Sequence, residues 1–76
     1  YVYILTCNDG SEYTGCTLNI EKRLIRHANG QIRFTKARLP VTLKFYAFFK
    51  DKYKAFDFEK YLKTGSGRAF RKRHLM

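Results

Sequence analysis

The stretch that decides the fold is Tyr1–Gly15, which reads YVYILTCNDGSEYTG. Residues Tyr1–Thr6 are mostly β-branched and aromatic, a composition typical of a strand. Asn8–Gly10 is a strong turn signal, because Asn and Gly tolerate positive φ. Glu12–Cys16 then returns as a second strand. The sequence therefore predicts that the chain starts with a β-hairpin.

Two tyrosines of this hairpin, Tyr3 and Tyr13, are candidates for a shared site, and the turn decides whether they can meet. A two-residue loop of Asp9 and Gly10 would pair Thr6 with Tyr13 and put the tyrosines on opposite faces. A loop with an odd number of residues, or a bulge, would put them on the same face. A tyrosine hydroxyl serves acid–base chemistry only when neighbours tune a pKa that is ordinarily about 10. Otherwise both rings simply fill a small core.

The rest of the chain contains one more strand and three helices. The predicted elements are a helix over Ile20–Ala28 capped by Asn19, a strand over Val41–Phe49, a helix over Lys52–Thr64 capped by Asp51 and ended by Gly65, and a short helix over Gly67–His74 capped by Ser66. This order, ββαβαα, predicts an α+β fold with a three-stranded antiparallel sheet flanked by helices. A chain of 76 residues makes one domain, residues 1–76.

The charge and the cysteine content indicate the class of binding partner and the cellular compartment. Sixteen Lys and Arg against six Asp and Glu give a formal net charge of +10, which favours a polyanion such as nucleic acid. Cys7 and Cys16 do not have the spacing of a zinc site, so we expect a reduced, cytoplasmic setting. No apolar run approaches the roughly 20 residues of a membrane span, so no membrane partner is expected. The chain does not start with Met, and we expect that it was trimmed or cut from a longer protein.

A carboxylate lies on the apolar face of the second predicted helix. At about 100° per residue, Glu59 shares a stripe with Ala55, Phe58 and Leu62. An ionised carboxylate in such surroundings costs free energy unless it is paired, hydrogen-bonded or bound to a metal. Glu59 is therefore either a metal ligand or a residue at the rim that pairs with a nearby Lys or Arg.

The first predicted helix carries two polar residues beside its apolar stripe of Ile20, Leu24 and Ala28. Arg23 and His27 are four residues apart and lie on the flank of that stripe. An Arg and a His aimed at a sheet can hold a phosphate and move a proton. The alternative is that Arg23 lays its stem over apolar surface and that His27 is a half-buried histidine with satisfied hydrogen bonds.

A set of basic residues predicts a surface that tracks phosphates. Each side chain taken alone is a solvated cation, but together they suit contacts to a nucleic-acid backbone, which carry no sequence information. The candidate nucleic-acid-binding residues are Lys36 and Arg38 in the loop before the third strand, and Lys63, Arg68, Arg71, Lys72 and Arg73 towards the C-terminal end.

These motifs, in this order, resemble the GIY-YIG nuclease family. Tyr1–Tyr3 corresponds to the first motif of the family, with Tyr in place of the leading Gly. Tyr13–Gly15 corresponds to the second motif, with Thr in place of the middle Ile. The Arg-x-x-x-His pair of Arg23 and His27 follows, and then the single later glutamate, Glu59.

The resemblance implies a metal-dependent endonuclease that hydrolyses phosphodiester bonds in DNA with one divalent cation, Mg²⁺ or else Mn²⁺. It implies that Glu59 ligates the metal and that Arg23 binds the scissile phosphate. It also implies that Tyr3 or Tyr13 faces the attacking water, while His27 accepts a proton directly or through a tyrosine. Which tyrosine is the general base is left open.

The resemblance covers nearly the whole chain, and the stretch GSGRAF at Gly65–Phe70 looks most like the small stand-alone bacterial members. DNA repair is among the settings of the family. The alternative to an enzyme is a nucleic-acid-binding module that keeps the fold without cutting, and the alternative to DNA is RNA. A chain this small has no room for a separate specificity domain, so a partner protein or a fused region is expected to supply selectivity.

Overall fold

The computed structural model describes residues 1–75, which form three strands and three helices. They are β1 (Val2–Thr6), β2 (Glu12–Cys16), α1 (Ile20–Ala28), β3 (Thr42–Ala47), α2 (Lys52–Leu62) and α3 (Gly65–His74). The strands form one antiparallel sheet in the order β2-β1-β3, with β1 in the centre. The predicted α+β fold and the element order ββαβαα are confirmed.

The hairpin between β1 and β2 closes through the loop Asn8–Gly10. The Gly10 N–H donates to the Cys7 carbonyl at 3.0 Å, and the Cys7 N–H donates to the Ser11 carbonyl at 2.8 Å. Gly10 has a φ of 84°, the left-handed conformation that closes a hairpin loop of this length. The loop is therefore odd-numbered, which was one of the alternatives left open by the sequence.

The register of the hairpin follows from that loop. Leu5 pairs with Tyr13, and Tyr3 pairs with Gly15. Because directly opposite residues share a face and every second residue of a strand does too, Tyr3 and Tyr13 lie on the same face of the sheet. The geometry that a shared tyrosine site requires is present.

Helices cover both faces of the sheet. On one face, the core consists of Val2, Ile4, Ala55 and Leu62, with α2 packed over β1 and β2 and α3 packed against α2. On the other face, Tyr3 and Leu5 are fully buried, and Tyr3 contacts α1. Across residues 1–75, no helix has the length and apolar character needed to traverse a bilayer.

Two predicted helix caps are confirmed. The Asn19 side chain accepts from the Lys22 N–H at 3.0 Å, and the Asp51 side chain accepts from the Tyr53 N–H at 2.8 Å. The helix α1 has the predicted bounds, whereas β1 and β3 are shorter than predicted at their ends. Burial alternates residue by residue along β3, as the apolar pattern of that segment predicts.

The junction of α2 and α3 differs from the prediction. Thr64, and not Ser66, caps α3, because its hydroxyl accepts from the Gly67 N–H at 3.0 Å. The same hydroxyl donates to the Tyr61 carbonyl at 2.6 Å, so one side chain joins the end of α2 to the start of α3. Gly65, which was predicted to end α2, is the first residue of α3.

Candidate active site

A buried chain of hydrogen bonds runs from β1 through α1 into the following loop. Tyr3, His27 and Thr35 are all fully buried. The Tyr3 hydroxyl lies 2.8 Å from His27 Nε2, and His27 Nδ1 lies 2.7 Å from Thr35 Oγ1. Because the Thr35 hydroxyl donates to the Ile32 carbonyl at 3.5 Å, we assign it as the acceptor of the Nδ1–H. Nε2 is then the acceptor for the Tyr3 O–H.

Thr35 belongs to this chain of hydrogen bonds although no motif in the sequence marks it. It lies in the basic loop before β3, and its partner His27 belongs to a different element. Since neither helical nor strand periodicity extends through that loop, no sequence pattern marks Thr35 as buried. Only the tertiary fold reveals that it fixes the orientation of the imidazole.

The helix α1 turns a different face to the sheet than its apolar stripe suggests. His27 is fully buried, whereas Ala28, predicted to lie on the buried stripe, is exposed. His27 is thus fully buried rather than half-buried, and the satisfied hydrogen bonds of that alternative are confirmed for both ring nitrogens. The facing strand supplies the Tyr3 hydroxyl, which forms a hydrogen bond with the buried imidazole. An alanine side chain in the same place would leave that hydroxyl without this partner.

Tyr13 lies beside this chain and has more access to solvent than Tyr3. Its ring centroid is 5.1 Å from that of His27, 6.1 Å from that of Tyr3 and 5.6 Å from that of Phe34. Tyr13 is partly exposed, while Tyr3 is fully buried. The outer tyrosine can therefore meet a substrate, and the inner one reaches the imidazole.

Gly15 makes the close approach of the tyrosines possible. A Cβ atom at this position would lie 2.6 Å from the Tyr3 hydroxyl and 2.9 Å from Tyr13 Cε1. Both distances are shorter than a carbon atom tolerates, so a side chain here would push the hydroxyl away from His27. The requirement for Gly in the second motif is thus steric.

The electrostatics of the site keep the phenol protonated and the imidazole neutral. Burial raises the pKa of Tyr3 to about 12, with Tyr13 adding to the rise and Arg23 opposing it. Burial lowers the pKa of His27 below its ordinary value of 6.5, and the charges of Arg23 and Arg26 lower it further. At neutral pH, Tyr3 is a proton donor and His27 is a base.

Arg23 from α1 and Glu59 from α2 both approach Cys16, at the end of β2. Burial raises the pKa of the Cys16 thiol, the Glu59 carboxylate raises it further, and the Arg23 guanidinium lowers it. The same guanidinium lowers the pKa of Tyr3. The charge of Arg23 therefore acts both on the buried tyrosine and on the end of β2.

Glu59 lies on the inner face of α2, as predicted, and is also paired. Its side chain is 21% exposed, and its Oε2 accepts from the Lys63 ammonium at 3.0 Å. Its neighbours on the stripe, Ala55 and Leu62, are buried. The lysine partner is the alternative of a paired residue at the rim, and the role of Glu59 as a metal ligand stays a prediction.

The donor set around Glu59 fits one kind of metal site only. Within residues 1–75, no three His, Cys, Asp or Glu side chains come together as a metal cluster. Mg²⁺ is commonly bound through one or two carboxylates, with waters and substrate phosphate oxygens as the remaining ligands. Glu59 suits such a one-carboxylate site, in which the substrate completes the coordination.

The predicted basic surface is only partly solvated. Arg71 was expected to be a solvated cation, but its side chain is 13% exposed; it donates to the Thr14 hydroxyl at 2.7 Å and pairs with Glu12 at 3.3 Å. It therefore joins α3 to β2. Two further basic residues are paired, Arg38 with Asp9 at 3.2 Å and Lys63 with Glu59 at 3.0 Å. The exposed members outside these pairs are Lys36, Arg68, Lys72 and Arg73.

A shallow groove connects the tyrosine site to the basic surface. Its volume is about 270 Å³, and its walls include Tyr13, Phe34, Lys63 and Arg68. Cationic side chains therefore line the same groove as the partly exposed Tyr13, together with the carboxylate of Glu12.

Comparison with known proteins assigns the chain to a family. Residues 1–73 match the family model described as the GIY-YIG catalytic domain. The chain is 48% identical over 67 residues to a UPF0213 protein of Staphylococcus saprophyticus, which covers 87% of this chain and 82% of that protein. It is 48% identical over 64 residues to a UPF0213 protein of Clostridium perfringens, covering 83% of this chain and 69% of that one. It is 47% identical over 62 residues to a UPF0213 protein of Bacillus anthracis, covering 80% and 65%. No solved structure gives a significant match. The chain therefore belongs to the GIY-YIG family, a family of the nuclease type.

Proposed function

We propose that the protein is an endonuclease that hydrolyses phosphodiester bonds in DNA with a divalent cation, Mg²⁺ or Mn²⁺, held by Glu59. The observation that carries the proposal is the buried hydrogen bond of 2.8 Å between the Tyr3 hydroxyl and His27 Nε2. Burying two polar side chains costs free energy that an apolar pair would avoid. A neutral imidazole that accepts from a phenol beside a partly exposed tyrosine instead supports proton transfer.

The arrangement supports a proton path through both tyrosines. Tyr13 faces the attacking water and takes its proton, while giving its own proton to the Tyr3 oxygen. Tyr3 passes its proton to His27 Nε2, and the resulting imidazolium keeps its Nδ1–H donated to Thr35. The water oxygen bonds to phosphorus as the bond from phosphorus to the leaving oxygen breaks, and the leaving oxygen takes a proton from solvent.

Two charged residues position the substrate in this proposal. Arg23 holds the scissile phosphate, because a planar guanidinium can donate to two phosphate oxygens at once. Its position beside both Tyr3 and Cys16 supports that role. Glu59 holds the cation, which when bound neutralises charge on the phosphate and on the leaving oxygen.

The basic surface binds the strand on either side of the cut. Lys63 and Arg68 line the groove that starts at Tyr13, and Lys72 and Arg73 are exposed on the same helix as Arg68. These contacts are to phosphates, so they give affinity that falls as salt rises and little sequence preference.

The direct test removes one oxygen from the buried chain. Tyr3→Phe keeps the ring and deletes the hydroxyl, so we expect the rate of DNA cleavage to fall by about 10²-fold with little change in DNA affinity. Plasmid, branched and single-stranded DNA are incubated with Mg²⁺ or Mn²⁺ and with a chelator. Tyr53→Phe removes an exposed hydroxyl from α2 and serves as the control, and urea unfolding checks that both variants are folded.

Two outcomes would contradict the proposal. One is a Tyr3→Phe variant that cuts as fast as the wild-type protein, since the cleavage would then come from another site or a contaminant. The other is a wild-type protein that binds DNA in a salt-dependent way without any metal-dependent cleavage. That second result would favour a binding module that keeps the fold.

A second expected result concerns pH. His27 accepts a proton only when it is neutral, that is, above its pKa, and burial together with Arg23 and Arg26 holds that pKa below 6.5. Cleavage should therefore persist below pH 6.5 and fall only as the pH drops through the lowered value. Arg26→Gln removes one of the lowering charges and should move this acid limb to higher pH.

The measurement is kcat/KM against pH for three proteins. Lys54→Gln removes the same charge from an exposed position on α2 and should leave the acid limb in place. An acid limb that does not move in Arg26→Gln would mean that His27 is not the titrating group.

A further inference from the structure

A second cavity is lined in part by Arg23 and does not include Tyr3 or Tyr13 among its described lining residues. Its volume is about 340 Å³, within the range of roughly 300–1,000 Å³ typical of small-ligand sites. Aromatic rings form much of its wall, namely Tyr1, Phe48, Phe49 and Phe56. We propose that this pocket holds a nucleobase of the DNA strand, next to the phosphate bound by Arg23. This inference rests on the proposed function, because it adds a base-binding subsite to the same substrate site.

Two of these rings, Phe48 and Phe56, are exposed, whereas Phe49 packs against the core. Phe48 is 63% exposed, and its ring centroid lies 5.2 Å from that of Tyr1. Phe56, on α2, is also exposed and lines the same pocket. Every base has a π-face, so exposed aromatic rings at the mouth of a pocket can stack bases with little sequence preference.

The charges around the pocket suit a polyanion. Arg23, Lys50 and Lys52 line it, and none of its lining residues is acidic. The carboxylate of Asp51 lies between the two lysines in the sequence, but it accepts from the Tyr53 N–H at 2.8 Å and caps α2. A second copy of this chain also has a net charge of +10, so the cationic rim of the pocket would repel it.

The pocket shares Arg23 with the candidate active site. Arg23 and Cys16 line its wall, and the charge of Arg23 also acts on the Tyr3 hydroxyl. A nucleotide whose phosphate lies on Arg23 therefore has the aromatic walls within reach of its own base or of the neighbouring one. The occupant that matches both the rings and the cations is a nucleotide with an unpaired base.

The test measures binding and needs no cleavage. Two fluorescent DNA oligomers of equal length, one with bases and one fully abasic, are titrated with protein in the presence of a chelator. The wild-type protein should bind the base-containing oligomer about 5- to 100-fold more tightly than the abasic one. Phe48→Ala should shrink that ratio while leaving the affinity for the abasic oligomer unchanged, and Phe48→Tyr should restore it.

A matched control comes from another exposed ring. Tyr53 is 67% exposed and lies on α2, but it does not line the pocket, so Tyr53→Ala should keep the wild-type ratio. Equal affinities for the two oligomers, or an equal loss for both in Phe48→Ala, would overturn the inference. So would a dimer in sedimentation that Phe48→Ala dissociates, because a second copy would then fill the pocket. If the protein prefers the base-containing oligomer but does not cut DNA, the proposed endonuclease activity is refuted and the base-binding subsite is still supported.

Discussion

Glu59→Gln is expected to lower the rate of metal-dependent DNA hydrolysis by about 10³-fold or more. The substitution keeps the size of the side chain and replaces a carboxylate with a neutral amide, which is a poor ligand for a hard cation. Charge stabilisation by a catalytic metal amounts to several kcal/mol, and each ~1.4 kcal/mol is a tenfold change in rate. Glu59 is 21% exposed, and no cluster of three His, Cys, Asp or Glu side chains within residues 1–75 could hold the cation in its place.

A matched control lies two positions away on the same helix. Asp57 is exposed on α2, and Asp57→Asn makes the same change of charge and nearly the same change of shape. The Asp57→Asn variant should cut DNA at close to the wild-type rate. DNA affinity measured with a chelator should be unchanged or slightly higher in Glu59→Gln, since a negative charge is lost. Cleavage that survives in Glu59→Gln would refute the one-carboxylate site.

The Lys63–Glu59 pair is compatible with the proposed role of Glu59 as a metal ligand. The lysine side chain is 54% exposed, and exposed pairs at i,i+4 contribute only about 0–1 kcal/mol. A bound cation at Glu59 can therefore displace Lys63 at little cost. The released ammonium already lines the groove that runs from Tyr13, where a substrate phosphate would accept from it.

Local patterns predicted much of this fold. The apolar alternation of β3, the caps at Asn19 and Asp51, and the inward position of Glu59 on α2 each depend on residues within one turn or one strand of each other. Such signals survive folding because tertiary contacts reinforce them. The order of the elements and the family motif set followed from the same patterns.

Features that depend on distant contacts were not predictable. The hairpin register turned on one extra loop residue, and Thr64 and Ser66 were equally good capping side chains by composition. The burial of Thr35 depends on His27, which in turn depends on the hydroxyl of Tyr3 in the first strand. No periodicity connects residues so far apart, so the site could be proposed as a set but not as a hydrogen-bonded chain.

Charge content alone also could not separate binding residues from structural ones. Arg71 looks like its neighbours in the sequence, yet it contacts Thr14 and Glu12 across the molecule. The difference is that α3 turns Arg71 towards β2, while Lys72 and Arg73 remain exposed. Which cations are free to meet a phosphate is therefore decided by how α3 packs.

That packing depends on Gly67, and Gly67→Ala is expected to have the largest effect on stability. A Cβ atom at this position would overlap the backbone carbonyl of Tyr61 and would lie 2.8 Å from Leu62 Cα. Backbone atoms of α2 cannot swing aside as a flexible side chain would, so the two helices must separate. We expect a loss of about 3 kcal/mol or more in the free energy of unfolding, out of roughly 4–11 kcal/mol for a domain of this size.

Gly65→Ala provides the internal comparison, because a Cβ atom there would meet nothing within 4 Å. In the first turn of the same helix, this change should be neutral or stabilise by up to about 1 kcal/mol. Urea unfolding followed by circular dichroism gives both values, and equal midpoints for Gly67→Ala and the wild-type protein would show that α3 does not pack against α2 as described.

Because α3 carries Arg71 to Thr14 on β2, separating the helices also loosens the strand that holds Gly15 between the tyrosines. Any Gly67→Ala protein that remains folded should therefore lose cleavage as well as stability.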